Sequence, residues 1–254
     1  MKHLLKNAVT ALTIAITASL SCITASAADS NTYYDVKKAG DYVLAFCGAD
    51  STMPKGRISR INPIFSQQDE DCTNFVSQAL YYGGYKMEGS PYPFIMNFAN
   101  SYCGKNCGCN DDNEWFYYKF KDDLDFTFDT WSSTWTRVEG ETDKGLYNYL
   151  SNSRLHNEPI CYSDSDLNYN KNFAKMYHIH RGDVIQIDFE SDGEYDHTTF
   201  VWCTDPEIRL SYHSNYIWAR SLNEIDTDLK NKGQTPCYRV IHTTDNELIN
   251  KSRW

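Results

Sequence analysis

The sequence predicts an α+β fold, with helices first and an antiparallel sheet after them. Three observations carry this. Apolar residues recur at helical spacing early in the chain. Short apolar, β-branched runs bounded by turn signals fill the second half. The two patterns do not alternate as a βαβ chain would.

Taken in order, Val36, Ala39, Tyr42, Val43 and Phe46 recur at helical spacing and predict a first helix. A loop follows, with Met53-Pro54 and Asn62-Pro63. The clearest helix runs from about Cys72 to Tyr82, with Phe75, Val76, Ala79 and Leu80 as its apolar stripe. Gly83-Gly84 stops it. Pro91 to Asp129 reads as loop-rich and irregular, and Trp135 to Leu150 as another helix, with Leu146, Tyr149 and Leu150 on one face. Strands are expected over Asp183 to Phe189, His197 to Trp202, Arg209 to Ser214 and Cys237 to His242. Asp192-Gly193 is the turn between the first two.

The chain has 254 residues, enough to bury a sizeable core. Residues 1–27 have the layout of a secretory signal: Lys2 and Lys6, an apolar run from Ala8 to Leu20, then Ala25-Ser26-Ala27 for cleavage. That run is short for a membrane span, and no other stretch approaches one. Cys22 invites a lipoprotein reading, but leucine would be better placed one residue earlier. No repeat or linker divides the remainder, so one domain is expected over residues 33–245. Twenty-four basic residues face 34 acidic ones. Removal of the signal takes Lys2 and Lys6 and no acid, leaving 22 against 34. This balance argues against a nucleic-acid partner and against an anionic membrane surface. An exported, soluble monomer is the expectation.

Export permits disulfides. Beyond Cys22 there are eight cysteines: Cys47, Cys72, Cys103, Cys107, Cys109, Cys161, Cys203 and Cys237. Cys103, Cys107 and Cys109 crowd one polar loop. Zinc spacing normally shows two separated ligand pairs, so local disulfides or free thiols are the favoured reading there.

Chemistry concentrates on Cys72. A helix N-terminus carries partial positive charge and unpaired N–H groups. These favour a thiolate and can hold an oxyanion. Asp71, Thr73 and Asn74 flank the cysteine and are the candidates for holding oxyanion or substrate. A thiol nucleophile needs a base, and His197 opens a strand directly after the Asp192-Gly193 turn. A third group should orient the imidazole. His213 and Asn215 lie two apart on the next strand, facing the same way, and either could do so. The plain alternatives are a buried cysteine and a solvated strand-edge histidine.

The run Asp71-Cys72-Thr73-Asn74-Phe75-Val76-Ser77-Gln78-Ala79-Leu80, then Gly83-Gly84, resembles the signature of the putative amidase domain family. That family is a bacterial branch of the papain-like cysteine hydrolases, related to NlpC-type and CHAP cell-wall peptidases. The likeness continues in order. It takes in Asn62 to Phe65, Trp135 with Leu146 to Leu150, Gly182 to Gln186, Asp192 to His197, Tyr212 to Asn215, and Ser221-Leu222. The resemblance implies a papain-like, NlpC-like fold in which the cysteine helix packs on an antiparallel sheet. It also implies a Cys72 nucleophile, a His197 base and His213 or Asn215 as orienter. Thr198 stands where serine is common, and Tyr216 where an acid often follows. The loop from Cys103 to Cys109 looks like an insertion.

Weaker signals are set aside. Asp188, Glu190, Asp192, Gly193 and Asp196 mimic a calcium loop, but Thr199 replaces its closing glutamate. His178 and His180 could share a metal, yet the sequence places no third ligand beside them. Gln67 and Gln68 could lend an oxyanion donor or simply be loop residues. The aromatics read as packing. No metal or cofactor is expected. The anticipated activity is hydrolysis of amide bonds by a secreted bacterial enzyme acting on peptidoglycan or peptide, at muramoyl–alanine or stem-peptide links. An acyl transferase on the same core and a catalytically silent binding module are the alternatives.

Overall fold

The computed structural model describes residues 34–47, 61–89, 114–121, 127–139, 145–151, 162–164, 172–214 and 217–243. The expected signal over residues 1–27, the cysteine loop at Cys103 to Cys109, Cys161, and the pair Asn215-Tyr216 lie outside them.

Helix α1 spans Val36–Phe46, capped by Asp35, whose carboxylate accepts from the Lys38 N–H at 3.0 Å. It packs on α2, Cys72–Tyr82, whose bounds match the sequence reading. The expected stripe of Phe75, Val76, Ala79 and Leu80 is fully buried. From Cys72 to Leu80 the other side of α2 is buried too and its polar residues find partners, while Tyr81 and Tyr82 at its end are exposed. Ser77 accepts from Trp115 Nε1 at 3.1 Å, and Gln78 accepts from the Tyr42 hydroxyl. A helix enclosed on all sides must satisfy its polar groups internally.

The middle of the chain departs from expectation. Part of the stretch read as irregular is a hairpin, β1 (Tyr117–Lys121) with β2 (Thr127–Trp131). It braces the loop before Cys72, because the Tyr117 hydroxyl accepts from the Ser66 N–H at 2.7 Å. The helix expected over Trp135 to Leu150 is two short ones, α3 (Ser133–Thr136) and α4 (Leu146–Ser151). Between them the backbone bonds sideways. The Leu146 N–H donates to the Arg137 carbonyl at 2.8 Å, and the Val138 carbonyl accepts from Gln186 Nε2 at 3.2 Å.

The remaining strands are β3 (Tyr162–Asp164), β4 (Val184–Asp188), β5 (His197–Cys203), β6 (Arg209–Tyr212), β7 (Ile217–Ser221) and β8 (Cys237–Ile241). A short helix, α5 (Phe173–Met176), precedes β4. The strands form one antiparallel sheet in the order β3-β8-β4-β5-β6-β7. Helix α6, Leu222–Asn231, lies between β7 and β8 in sequence, so helices do not all precede the sheet. The mixed α+β class stands with that amendment. Helix α2 packs on one face, against β5 and β6. Helix α6 covers the other, where Leu222, Ile225 and Leu229 meet Ile185, Ile187, Val201 and Leu210. No helix among the described residues is long and apolar enough to cross a membrane.

Candidate active site

Cys72 is the first residue of α2 and is buried, yet it lines a cleft of about 1570 Å³. Val138 and Tyr195 pack beside it. Burial pushes its thiol up, opposed by the Thr198 backbone and by Thr73. The resting sulfur is therefore a thiol at neutral pH.

His197 lines the same cleft, but from the other side of the sheet end. Thr198, its neighbour, faces α2 and meets the Thr73 hydroxyl at 2.9 Å. Side chains alternate along a strand, so His197 faces the α6 side, edge-on to Tyr212 at 4.7 Å. Its Nε2 is buried and has no hydrogen-bond partner among the described residues. Burial depresses its pKa from 6.5 to about 4, so the ring is neutral with an available lone pair. The structure brings Cys72 and His197 to one cleft without a hydrogen bond between them.

His213 does not meet His197. Its Nδ1 is 2.6 Å from Asp71 Oδ2, its Nε2 is 2.9 Å from the Phe46 carbonyl, and its ring stacks on Phe75 at 3.9 Å. A carbonyl only accepts, so Nε2 donates to Phe46. The reason for the difference is strand parity: His213 faces α2, whereas Tyr212 faces His197. Asn215 lies outside the described residues.

Asp71, Thr73 and Asn74 are buried and support the helix start rather than line the cleft. Asp71 Oδ1 accepts from the Gln68 N–H at 3.0 Å and from Asn74 Nδ2 at 2.7 Å. Asn74 Oδ1 accepts from Trp135 Nε1 at 2.8 Å. Their side chains are spoken for, while the N–H groups of the first turn remain the oxyanion candidates. Gln68 lines the cleft, but its amide donates to the Ser66 carbonyl at 3.3 Å; Gln67 does not line it.

One buried network escaped the sequence reading. Thr198 accepts from Gln186 Nε2 at 3.1 Å, and Gln186 Oε1 accepts from Arg239 Nε at 3.0 Å. Arg239 also pairs with Glu139 at 2.6 Å and lies between the rings of Tyr147 and Tyr195, 3.5 and 3.7 Å from their centroids. Glu139 Oε1 accepts from the Tyr195 N–H at 3.1 Å. These residues come from four separate elements and loops, so no local spacing announces them. The cleft rim is acidic on both sides, with Asp69 and Glu70 before Cys72 and Asp192, Glu194 and Asp196 before His197. The calcium-like loop is a hairpin turn. Asp188 accepts from the N–H groups of Glu190, Ser191 and Gly193, and Asp196 from that of Phe189.

Fold and site define a mixed α+β protein with a cysteine at the start of a helix that packs on an antiparallel sheet. The putative amidase domain model matches residues 33–236, and the chain belongs to that family. The description points to hydrolysis of amides. A Bacillus subtilis strain 168 protein, "Uncharacterized protein YhbB", is 27% identical over 144 residues, which are 57% of this chain and 32% of that protein. The matched stretch is thus about a third of that relative's length. No solved structure matches the chain.

Proposed function

We propose that this chain is a secreted cysteine amidase of papain-like, NlpC-related architecture that cleaves amide bonds in peptidoglycan, at muramoyl–alanine or stem-peptide links. The observation that carries the reading is that Cys72, at a helix N-terminus, shares one cleft with His197, whose Nε2 has no partner among the described residues. Family membership supports the amide chemistry.

For the reaction the His197 ring turns from its contact with Tyr212 toward Sγ when substrate fills the cleft, since catalytic contacts often form only on binding. His197, neutral at rest, takes the Cys72 proton, and the sulfur attacks the amide carbonyl carbon. The first-turn N–H groups of α2 hold the oxyanion. The imidazolium returns its proton to the leaving nitrogen as the C–N bond breaks, giving amine and thioester. A water then loses its proton to His197, attacks the thioester, and releases carboxylic acid and thiol. His213 acts as a positioning residue through Asp71.

The test is release of new amino termini from purified peptidoglycan and from a muramoyl-peptide. Wild type should release them. Cys72→Ser and His197→Gln should each lose at least about 100-fold with an unchanged Tm at pH 7. No release by wild type, or full activity of Cys72→Ser, overturns the reading.

A further inference from the structure

At the end of the sheet away from the cleft, two imidazoles and a carboxylate converge from three pieces of chain. Val184 of β4 pairs with Ile241 of β8, so the next step outward sets Asp183 beside His242. A tight turn brings His180 to the same place, its carbonyl accepting from the Asp183 N–H at 3.1 Å. Gly182 in that turn has φ +95°, where a side chain would be strained and would meet Val36. Asp183 Oδ2 is 2.9 Å from His242 Nδ1 and 4.0 Å from His180 Nδ1. All three ligand atoms lie within 4.8 Å of one another. His178, which the sequence paired with His180, is exposed and takes no part.

Asp183 is fully buried, and among the described residues no lysine or arginine pairs with it. It accepts from the backbone N–H groups of His180 at 2.8 Å and Thr243 at 3.3 Å. Burial holds the nearby Tyr85 phenol above its usual range, and the Asp183 charge pushes it further. A buried carboxylate without a fixed cation is costly.

We propose that His180, Asp183 and His242 form a divalent transition-metal site, with zinc the best match. Two imidazole nitrogens and one carboxylate oxygen suit zinc. Bonds of about 2.1 Å in a tetrahedron set ligands ~3.4 Å apart, inside the observed spread of 2.9 to 4.8 Å. Both histidines bind as neutral imidazoles through Nδ1, and the metal takes the Oδ2 lone pair that His242 now faces. Thr243 N–H stays on Oδ1 as an outer partner that orients the carboxylate. The His180 side chain is 28% exposed, which leaves the outer side open for water as the remaining ligand. Ile187, the strand partner of His197, lies four residues along β4 from Asp183, ~13 Å at strand rise. None of the three ligands lines the cleft. The metal therefore staples the start of β4, the end of β8 and the turn at His180, and takes no part in the reaction.

The full chain, stripped with EDTA and dialysed, is titrated with Co²⁺ and then with Zn²⁺. The expected result is one equivalent bound, with ligand-field absorption and no thiolate-to-cobalt band, and a Tm raised by Zn²⁺. His180→Ala and His242→Gln should each weaken binding at least about tenfold, a loss seen even for outer partners. Cys72→Ser and the triple variant Cys103→Ser/Cys107→Ser/Cys109→Ser should bind as wild type does. Absence of stoichiometric binding overturns the site. So does a thiolate band that the triple variant removes, or binding indifferent to both histidine changes. If His242→Gln does not fold, the partly exposed His180→Ala decides alone.

Discussion

The two faces of the central sheet are built on different principles. The face under α6 is mainly apolar, with Ile185, Ile187, Val201 and Leu210 against Leu222, Ile225 and Leu229, although His197 and the Tyr238–Asp226 hydrogen bond also lie there. The face under α2 carries a chain of buried polar groups: Thr73, Thr198, Gln186, Arg239 and Glu139. Hydrophobic packing is non-directional and tolerates repacking. Hydrogen bonds fix distance and angle. The face that holds Cys72 in place is thus the one whose contacts are directional. Losing one partner from such a network leaves a buried group unsatisfied, whereas trimming the apolar face leaves only a cavity.

That contrast can be broken most severely at Arg239. Arg239→Ala strands Glu139 and Gln186 beside an emptied slot between Tyr147 and Tyr195. A loss of about 3–5 kcal/mol is expected, as for one partner of a buried ion pair. Urea unfolding measures it, and the double change Arg239→Met/Glu139→Leu should recover a large part. On the other face, Leu210→Ala should cost about 3 kcal/mol by cavity formation yet leave amide cleavage at wild-type rate per folded molecule. An equal loss of activity would erase the distinction between faces.

His197 gives the contrast a pH dependence. Its folded pKa of about 4 lies below the ordinary 6.5 because burial disfavours the imidazolium. The unfolded chain therefore binds the extra proton first as pH falls. Stability is full above about pH 6.5 and is lost toward pH 4, by about 3 kcal/mol at most from this group. His197→Gln should flatten that part of the Tm–pH curve between pH 7 and 4.5. An unchanged slope would mean that the ring is not held neutral by burial. If His197 is the base, kcat/KM should also fall along an acid limb near pH 4.

The smallest effect is expected at Thr198→Val. It keeps the shape but removes the partner of Thr73 and Gln186, for about 1–2 kcal/mol. Because Thr73 follows Cys72, iodoacetamide labelling of Cys72 should change rate in this variant and stay unchanged in Leu210→Ala. Labelling of wild type should rise steeply only toward alkaline pH, since burial raises the thiol.

Local patterns in the sequence carried α1, α2, β4, β5, β6 and β8, because each announces itself by periodicity within a few residues. Signals for three further elements, α6, β1 and β2, were also present. Leu222, Ile225 and Leu229 have helical spacing before Gly233, and Tyr117 to Lys121 with Thr127 to Trp131 are two short aromatic, β-prone runs. The placement of Cys72 and His197 at element starts was legible.

What the sequence determined by itself was the α+β class, the start of the cysteine helix and the acidic balance, all of which depend on neighbours in the chain or on composition. Only the tertiary structure decided that β8 inserts beside β4, which brings Arg239 to Gln186 and His242 to Asp183. It alone placed His213 on Asp71 and His197 on the opposite face. The physical reason is that side-chain alternation and tertiary packing join residues far apart in the chain, 142 positions for Asp71 with His213, a separation over which no local pattern carries information.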